Sequence, residues 1–304
     1  MTPKRIYQKA FDRWIPNEKS TWTFQVFQKY NNELEKNIWA FFPTSKKIYK
    51  NLGENSAKWT DKVESHFEFT EKKNELYNDL QEWSNSYKQF DNWVNLNIIM
   101  SISANFETYL ASVISLALKS NPGIIFGASK MVDGITILKN GAPTKLNFED
   151  EVIKCTKGDW SSRITSFEKI FGEAPELLTK NVSSLEQIRK LRNKVGHSFG
   201  RDIEEAREHA IKKFIPTETI SRDRTLKYQS LLWSIAKSID VFLLENHIGT
   251  YQALNFYHTL YQEMRKDVHP SMRAVKLKTE VGRTGVQPAD KVFYKSLVNY
   301  YENL

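Results

Sequence analysis

The sequence contains little cysteine, glycine or proline, and each shortage argues against a class of protein. Cys155 is the one cysteine in 304 residues, which excludes an internal disulfide framework and a zinc site built from two CxxC pairs. The 12 Gly and 9 Pro are fewer than average usage gives, which argues against a loop-rich or all-β chain. Apolar residues at 40% and charged residues at 26% argue against global disorder. We therefore expect a mainly helical protein located in the cytoplasm, where thiols stay reduced.

Long hydrophobic runs are scarce as well. The first residues are basic, and Asp12 interrupts them before an apolar segment forms, so we expect no signal peptide. Residues 93–118 are long enough to cross a bilayer, but they include several Asn and Ser side chains and a central Glu107. Because such polar groups are costly in lipid, we expect a buried core helix and no membrane partner.

The net charge and the spacing of the histidines limit the partners, metals and cofactors that we expect. A net charge of +8 permits a polyanionic partner such as RNA or DNA. The histidines show no HxH or HExxH spacing, and no glycine-rich loop is followed by Lys-Ser or Lys-Thr. The sequence therefore predicts neither a metal nor a cofactor.

The distribution of aromatic residues, proline and glycine predicts three regions along the chain. Residues 1–90 hold five of the eight tryptophans, and we expect a helical region whose aromatics form a core rather than a base-stacking surface. Residues 91–262 predict a helical bundle with an insertion at 120–160. Residues 263–304 contain scattered Pro and Gly, which predict an irregular segment followed by a short helix.

A small β-hairpin is predicted within the insertion, near residues 133–148. Asn140 and Gly141 form a turn dipeptide between two short runs of β-favouring residues, which is a hairpin signal. The expected fold is therefore mainly α, a helical bundle that carries this hairpin.

The helix predicted from Ser184 carries the most informative pattern. A capping box over residues 183–186 predicts its start, and Gly196 predicts its fraying end. Its apolar arc is formed by Leu185, Ile188, Leu191 and Val195. Arg192 falls inside that arc, where a guanidinium is costly unless it is paired or faces a cleft. Two interpretations follow: a buried ion pair, for which Glu107 is a candidate partner, and a functional site.

Residues 192–197 read Arg-Asn-Lys-Val-Gly-His, or R-N-x3-H. This pattern resembles the R-x(4–6)-H signature of HEPN domains, and the resemblance covers residues 93–262. It implies an antiparallel α-bundle that forms a homodimer and cleaves RNA without a metal, often in antiviral defence or toxin systems. Two motifs would meet across the dimer interface, with Arg192 and His197 catalytic. Asn193 would support them, and Glu107 would orient the arginine.

The residue types suit this chemistry. An imidazole that titrates near neutrality can transfer protons, and a guanidinium can stabilise the charge on a phosphate in the transition state. On an ideal helix Arg192 and His197 lie about 140° apart. Either the helix distorts at Gly196, or the two groups face different parts of a shared cleft. Further candidates for binding RNA are Arg189, Lys194 and Arg201.

A second interpretation is not enzymatic. The chain would be a non-catalytic HEPN-like scaffold or the RNA-binding partner of a separate effector, and the motif would be an ion-pair network. Under the nuclease interpretation, unregulated cleavage would harm the host, so we expect restraint by the N-terminal region or by a regulatory protein partner. RNA binding that weakens steeply with salt, with no cleavage, would favour the second interpretation.

Overall fold

The computed structural model describes residues 11–70, 73–141, 146–198, 200–201, 215–265 and 267–304. These residues form eleven α-helices and no strand, so the mainly helical fold class is confirmed. The first six helices are α1 (Trp22–Glu54), α2 (Leu80–Ser120), α3 (Gly134–Asn140), α4 (Glu149–Thr156), α5 (Trp160–Phe171) and α6 (Glu176–Lys180). The others are α7 (Val182–Ser198), α8 (Arg222–Leu243), α9 (Tyr251–Glu263), α10 (Pro270–Arg283) and α11 (Lys291–Glu302). A single π-helical turn, Leu244–Ile248, continues α8.

The β-hairpin predicted near 133–148 is wrong for the residues that the structure describes there. The Asp133 carboxylate accepts a hydrogen bond from the Ile135 N–H at 3.0 Å and caps helix α3. Gly141, with a φ of +81°, follows the last residue of that helix. Glycine favours this left-handed region at helix C-termini as well as in hairpin turns. The Asn-Gly pair therefore ends a helix; residues 142–145 lie outside the described part of the chain.

The irregular segment predicted after residue 263 is also partly wrong, because Pro270–Arg283 is helical. His269 Nδ1 accepts a hydrogen bond from the Ser271 N–H at 3.2 Å, and Pro270 occupies the start of the helix. Proline is favourable at this position, since the first helical N–H has no partner within the helix. The predicted last helix is present as α11.

The contacts of the chain divide it into two units. The first contains the described residues within 1–26, 107–182 and 235–304, and the second contains those within 27–106 and 183–234. Helices α1, α2 and α8 each continue from one unit into the other. The predicted boundary at 90/91 falls inside α2, and the three-part division stays a prediction.

Helix α2 contains the segment expected to be a buried core helix. Among the described residues it is the one helix long and apolar enough to cross a membrane, with a mean hydropathy of 1.2 in its most apolar window. Half of that window is buried inside the protein, and Ile99, Val113 and Ile114 are fully buried. This burial fits the core helix of a soluble protein; a cytoplasmic location stays a prediction.

The first unit contains a buried arginine that holds several segments together. Arg13 is 1% exposed and forms an ion pair with Asp133, with Nη2 and Oδ1 2.7 Å apart. Its Nη1 donates to Ser120 Oγ at 2.9 Å and to the Ile248 carbonyl at 3.0 Å. Since a buried guanidinium is tolerated only when its donors are satisfied, these bonds fix the N-terminal segment to the unit.

In the second unit, α1 and α8 run antiparallel. The Arg222 guanidinium lies 4.7 Å from the centre of the Phe42 ring. Seven residues further along α8, Gln229 Nε2 donates to Asn31 Oδ1 at 3.4 Å. The contact therefore moves towards the start of α1 as α8 proceeds. Arg222 also forms an ion pair with Asp91 of α2, so one side chain links three helices.

Candidate functional site

Helix α7 carries the motif, and its apolar arc anchors it in the second unit. Leu185 and Ile188 are buried, while Leu191, Arg192 and Val195 are half-buried. The helix predicted from this arc is confirmed, but it begins at Val182 rather than Ser184, so the predicted capping box lies within its first turn, and it stays α-helical through Gly196 to Ser198. The spacing of apolar residues therefore sets which face of α7 meets the core and which face meets solvent.

The structure brings Arg192 and Asn193 together and leaves His197 on another side of the helix. Arg192 Nη1 donates to Asn193 Oδ1 at 3.2 Å. His197 is exposed in the last turn, and α7 stays α-helical through Gly196. Of the two arrangements left open by the sequence, the undistorted helix is the one observed. Arg192 and His197 of one chain are thus about 140° apart around the axis.

Gly200 fixes the chain just beyond the motif. Its N–H donates to the Lys194 carbonyl at 2.9 Å, and its own carbonyl accepts from the Glu218 N–H at 2.6 Å. Its φ is +79°, and a Cβ atom there would lie 3.0 Å from Leu96 Cδ1. The left-handed conformation and the close approach both favour glycine, so this residue holds the end of α7 beside the start of the segment that leads into α8.

The three cations predicted to bind RNA all have partners within the second unit. Arg189 donates to Glu186 through Nε at 2.9 Å and Nη2 at 2.6 Å. Lys194 Nζ lies 3.0 Å from Glu218 Oε2. Arg201 Nε donates to the Ile215 carbonyl at 2.9 Å. Partly exposed ion pairs contribute about 1 kcal/mol or less, so a phosphate can compete for Lys194; the RNA-binding role stays a prediction.

Glu107 belongs to the first unit, where it pairs with an arginine that the sequence analysis did not single out. Its Oε1 lies 3.7 Å from Arg163 Nη2. Arg163 is buried, lies 4.6 Å from the centre of the Trp160 ring, and its Nε donates to the Gly158 carbonyl at 3.0 Å. The support that Glu107 is expected to give to Arg192 stays a prediction.

The signal for Arg163 was present in the sequence. It lies on the apolar face of α5, whose buried residues are Trp160, Ile164, Phe167 and Phe171. An arginine inside an apolar arc is the same pattern that drew attention to Arg192. A search of every predicted helix for this pattern would also select Arg163, and so would give Glu107 a second candidate partner.

Beside the motif, α7 borders a groove with a volume of about 180 Å³. Its α7 residues recur with helical spacing: Gln187, Lys190, Leu191 and Lys194. Helix α8 contributes Arg224 and the buried Tyr228 to the lining of the groove. Arg224 Nε donates to the Tyr228 hydroxyl at 2.9 Å, and Arg224 Nη2 donates to Gln187 Oε1 at 3.2 Å.

Of the α7 residues that line the groove, Lys190 is nearest in direction to His197, which does not itself line the groove. Lys190 and His197 are seven residues apart, which places them about 20° apart around the helix axis. Lys190, Lys194 and Arg224 line the groove with one carboxylate, Glu218. An excess of cations beside an exposed imidazole is an arrangement that can hold a phosphate next to a proton-transfer group.

Cys155 belongs to the first unit. Cys155 is buried, and desolvation raises the pKa of its thiol to about 12, so it stays protonated at neutral pH. Within the residues that the structure describes, no group of three or more His, Cys, Asp or Glu side chains could hold a metal ion.

Comparison of the chain with protein-family models, with curated proteins and with solved structures gives no match. The function of the chain is therefore inferred from the residues of the site itself.

Proposed function

We propose that the protein is a metal-independent endoribonuclease of the HEPN type, whose active site is completed by a second copy of the chain. The observation that carries this proposal is the position of His197, exposed on a regular helix about 140° from Arg192. One phosphodiester cannot readily contact both groups of a single helix in this arrangement. The Arg192 of a second copy, related by a twofold axis near His197, would supply the missing cation.

The proposed reaction is an internal transphosphorylation. His197 of one copy accepts the proton of the ribose 2′-hydroxyl, and the 2′-oxygen forms a bond to phosphorus. The bond from phosphorus to the 5′-oxygen breaks, and the His197 of the second copy donates a proton to that oxygen. The products are a 2′,3′-cyclic phosphate and a 5′-hydroxyl. Arg192 stabilises the charge that develops on the phosphate oxygens.

The residues around the motif have supporting roles in this proposal. Asn193 accepts a hydrogen bond from Arg192 and so orients the guanidinium. The groove cations Lys190 and Lys194 would hold a phosphate on one side of the scissile bond. The resemblance to HEPN domains extends the proposal to an antiviral or toxin system controlled by a regulatory partner.

A second candidate function is favoured by one observation. Arg189 and Lys194 are tied to carboxylates of the same chain, as expected if this helix is mainly structural. The protein would then be a non-catalytic scaffold or the RNA-binding partner of another enzyme.

The test is cleavage of a fluorescent single-stranded RNA by purified protein in the presence of EDTA. We expect cleavage to continue and the products to carry 2′,3′-cyclic phosphate ends. Arg192→Ala and His197→Ala should each lower the rate at least 100-fold without changing the circular dichroism spectrum. The matched control is Arg283→Ala, an arginine that is exposed on α10. Inhibition by EDTA, or wild-type rates in both motif variants, would refute the proposal.

A further inference from the structure

A second cavity lies along the contact between α1 and α8 within the second unit, with a volume of about 430 Å³. On each helix its lining residues follow the i, i+3, i+4, i+7 pattern of one helical face, so each helix presents one face to it. From α1 these are Gln28, Asn31, Asn32, Glu35 and Trp39, and from α8 they are Leu226, Gln229, Ser230 and Trp233. We call this cavity the amide trough.

The two tryptophans lie towards opposite ends of the amide trough. Because α1 and α8 run antiparallel, Trp39 lies near the start of α8, whereas Trp233 lies near the start of α1. Trp39 is 54% exposed, a large apolar surface to leave in water on a helix that also has a well-buried face. An indole in this position offers a flat face on which a planar ring can stack.

Between the tryptophans the lining is rich in carboxamides. Each Asn or Gln side chain presents a donor and an acceptor together, which matches the paired groups on the edge of a nucleobase. Gln229 and Asn31 already contact each other, but at 3.4 Å this hydrogen bond is long and can be exchanged for one to a ligand. Glu35 is the one charged residue of the lining; it would accept from exocyclic amino groups and repel phosphate.

Cations flank the trough without lining it. Lys29, Lys36 and Lys227 each directly follow a lining residue in the sequence and are exposed, as is one carboxylate in the same relation, Glu33 after Asn32. A residue one position further along lies about 100° round its helix, which places these ammonium groups at the rims. Amides inside and lysines at the rims suit bases that enter the trough while their phosphates stay outside.

We propose that the amide trough binds unstacked bases of single-stranded RNA. The volume lies in the range of about 300–1,000 Å³ typical of small-ligand sites, and a duplex keeps the faces and pairing edges of its bases hidden. A neutral sugar could also stack on an indole and bond to amides, but it would gain nothing from the lysine rims. The choice of RNA rests on the proposed function; the base-binding chemistry of the trough does not require Arg192 or His197.

The experiment measures binding separately from cleavage. Full-length His197→Ala protein is titrated with a fluorescein-labelled decanucleotide of single-stranded RNA, and fluorescence anisotropy gives the Kd. Adding Trp39→Ala should weaken binding about 5- to 150-fold, as expected for the loss of one stacked base. The matched control is Trp59→Ala, since Trp59 is 50% exposed in the same unit and outside the trough; it should leave the Kd unchanged. Asn32→Ala should weaken binding and alter the preference among homopolymers.

Competing ligands decide the chemical class. The same sequence as a duplex should compete at least tenfold less well than the single strand, and maltohexaose should not compete. Equal affinities in the Trp39→Ala and Trp59→Ala variants, or competition by the sugar, would overturn the proposal. If RNA binding depends on Trp39 but the wild-type protein never cleaves RNA, the proposed nuclease activity is refuted and base binding in the trough is supported. If RNA is cleaved but its Kd does not change in the Trp39→Ala variant, base binding in the trough is refuted and the proposed nuclease activity is supported.

Discussion

The guanidinium of Arg192 bonds to the side chain of the next residue in the chain, with Nη1 3.2 Å from Asn193 Oδ1. Successive side chains on a helix point about 100° apart, so the arginine must fold towards its neighbour to make this contact. Asn193 is therefore placed to set the direction of the charge that is proposed to meet the phosphate.

Asn193→Ala should lower kcat for RNA cleavage about tenfold, the effect of one hydrogen bond to a charged group, and leave KM and the melting temperature nearly unchanged. Asn193→Asp keeps an acceptor at Oδ1 and should recover most of the rate. A gel assay with labelled RNA and a thermal melt provide both readouts. If the aspartate variant is as slow as the alanine variant, Asn193 does not act by orienting Arg192.

The shared site can be tested by diluting active chains with inactive ones. When wild-type and His197→Ala chains exchange freely, each mixed dimer lacks one of the two imidazoles. Activity should then follow the square of the wild-type fraction, so that about one sixteenth remains when one chain in four is active. Mixing with Arg283→Ala in the same proportions should leave full activity. A linear decline would show that each chain acts alone.

Acid should destabilise the protein through His247. This imidazole is buried between Phe171 and Phe242, with ring centres 5.0 and 5.6 Å away. Desolvation, with a smaller contribution from the charge of Lys130, lowers its pKa to about 4. Below a pH of about 6.5 the unfolded chain takes up a proton that the folded protein does not, so stability falls as the pH is lowered towards 4.

The measurement is the free energy of unfolding by urea at pH 7.5 and at pH 4.5. The wild type should lose about 2 kcal/mol through this group between the two values. His247→Phe should show a smaller loss between them. Parallel curves for the wild type and the His247→Phe variant would contradict this prediction.

The pairing of Glu107 with Arg163 predicts strong energetic coupling. Arg163→Ala removes a buried cation and leaves its carboxylate partner behind, which should cost about 2–3 kcal/mol of stability. Glu107→Gln combined with Arg163→Ala should be more stable than Arg163→Ala alone, since no unpaired charge remains. Urea unfolding of the single and double variants gives the coupling energy. If the losses of stability in the two single variants add up to the loss in the double variant, the 3.7 Å contact does not contribute to stability.

Local patterns in the sequence predicted the parts of the fold that depend on local physics. The apolar spacing of Leu185 and Ile188 was enough to place α7 and its buried face. The Asn140-Gly141 pair was misread because a left-handed glycine serves a hairpin turn and a helix end equally well. The local signal does not distinguish these outcomes; the cap at Asp133 does.

The groove and the trough depend on tertiary structure that no local pattern contains. Trp39 and Gln229 belong to helices that are far apart in the sequence, and neither residue attracts attention until α1 and α8 lie side by side. The aromatics of residues 1–90 were expected to be core residues. That holds for Phe42 but not for Trp39, and helical spacing alone cannot decide between them because the partner helix sets which face is covered.

The continuity of α2 bears on how this protein can be dissected and how it can evolve. A deletion placed at residue 90 or 106 would cut through one helix of 41 residues and leave each fragment with only part of that helix. Because the two units share this helix, gene fusion or recombination could not transfer either unit intact into another chain. Roles are therefore better assigned by single substitutions than by truncation, and sequence change in one unit is constrained by a scaffold that also serves the other.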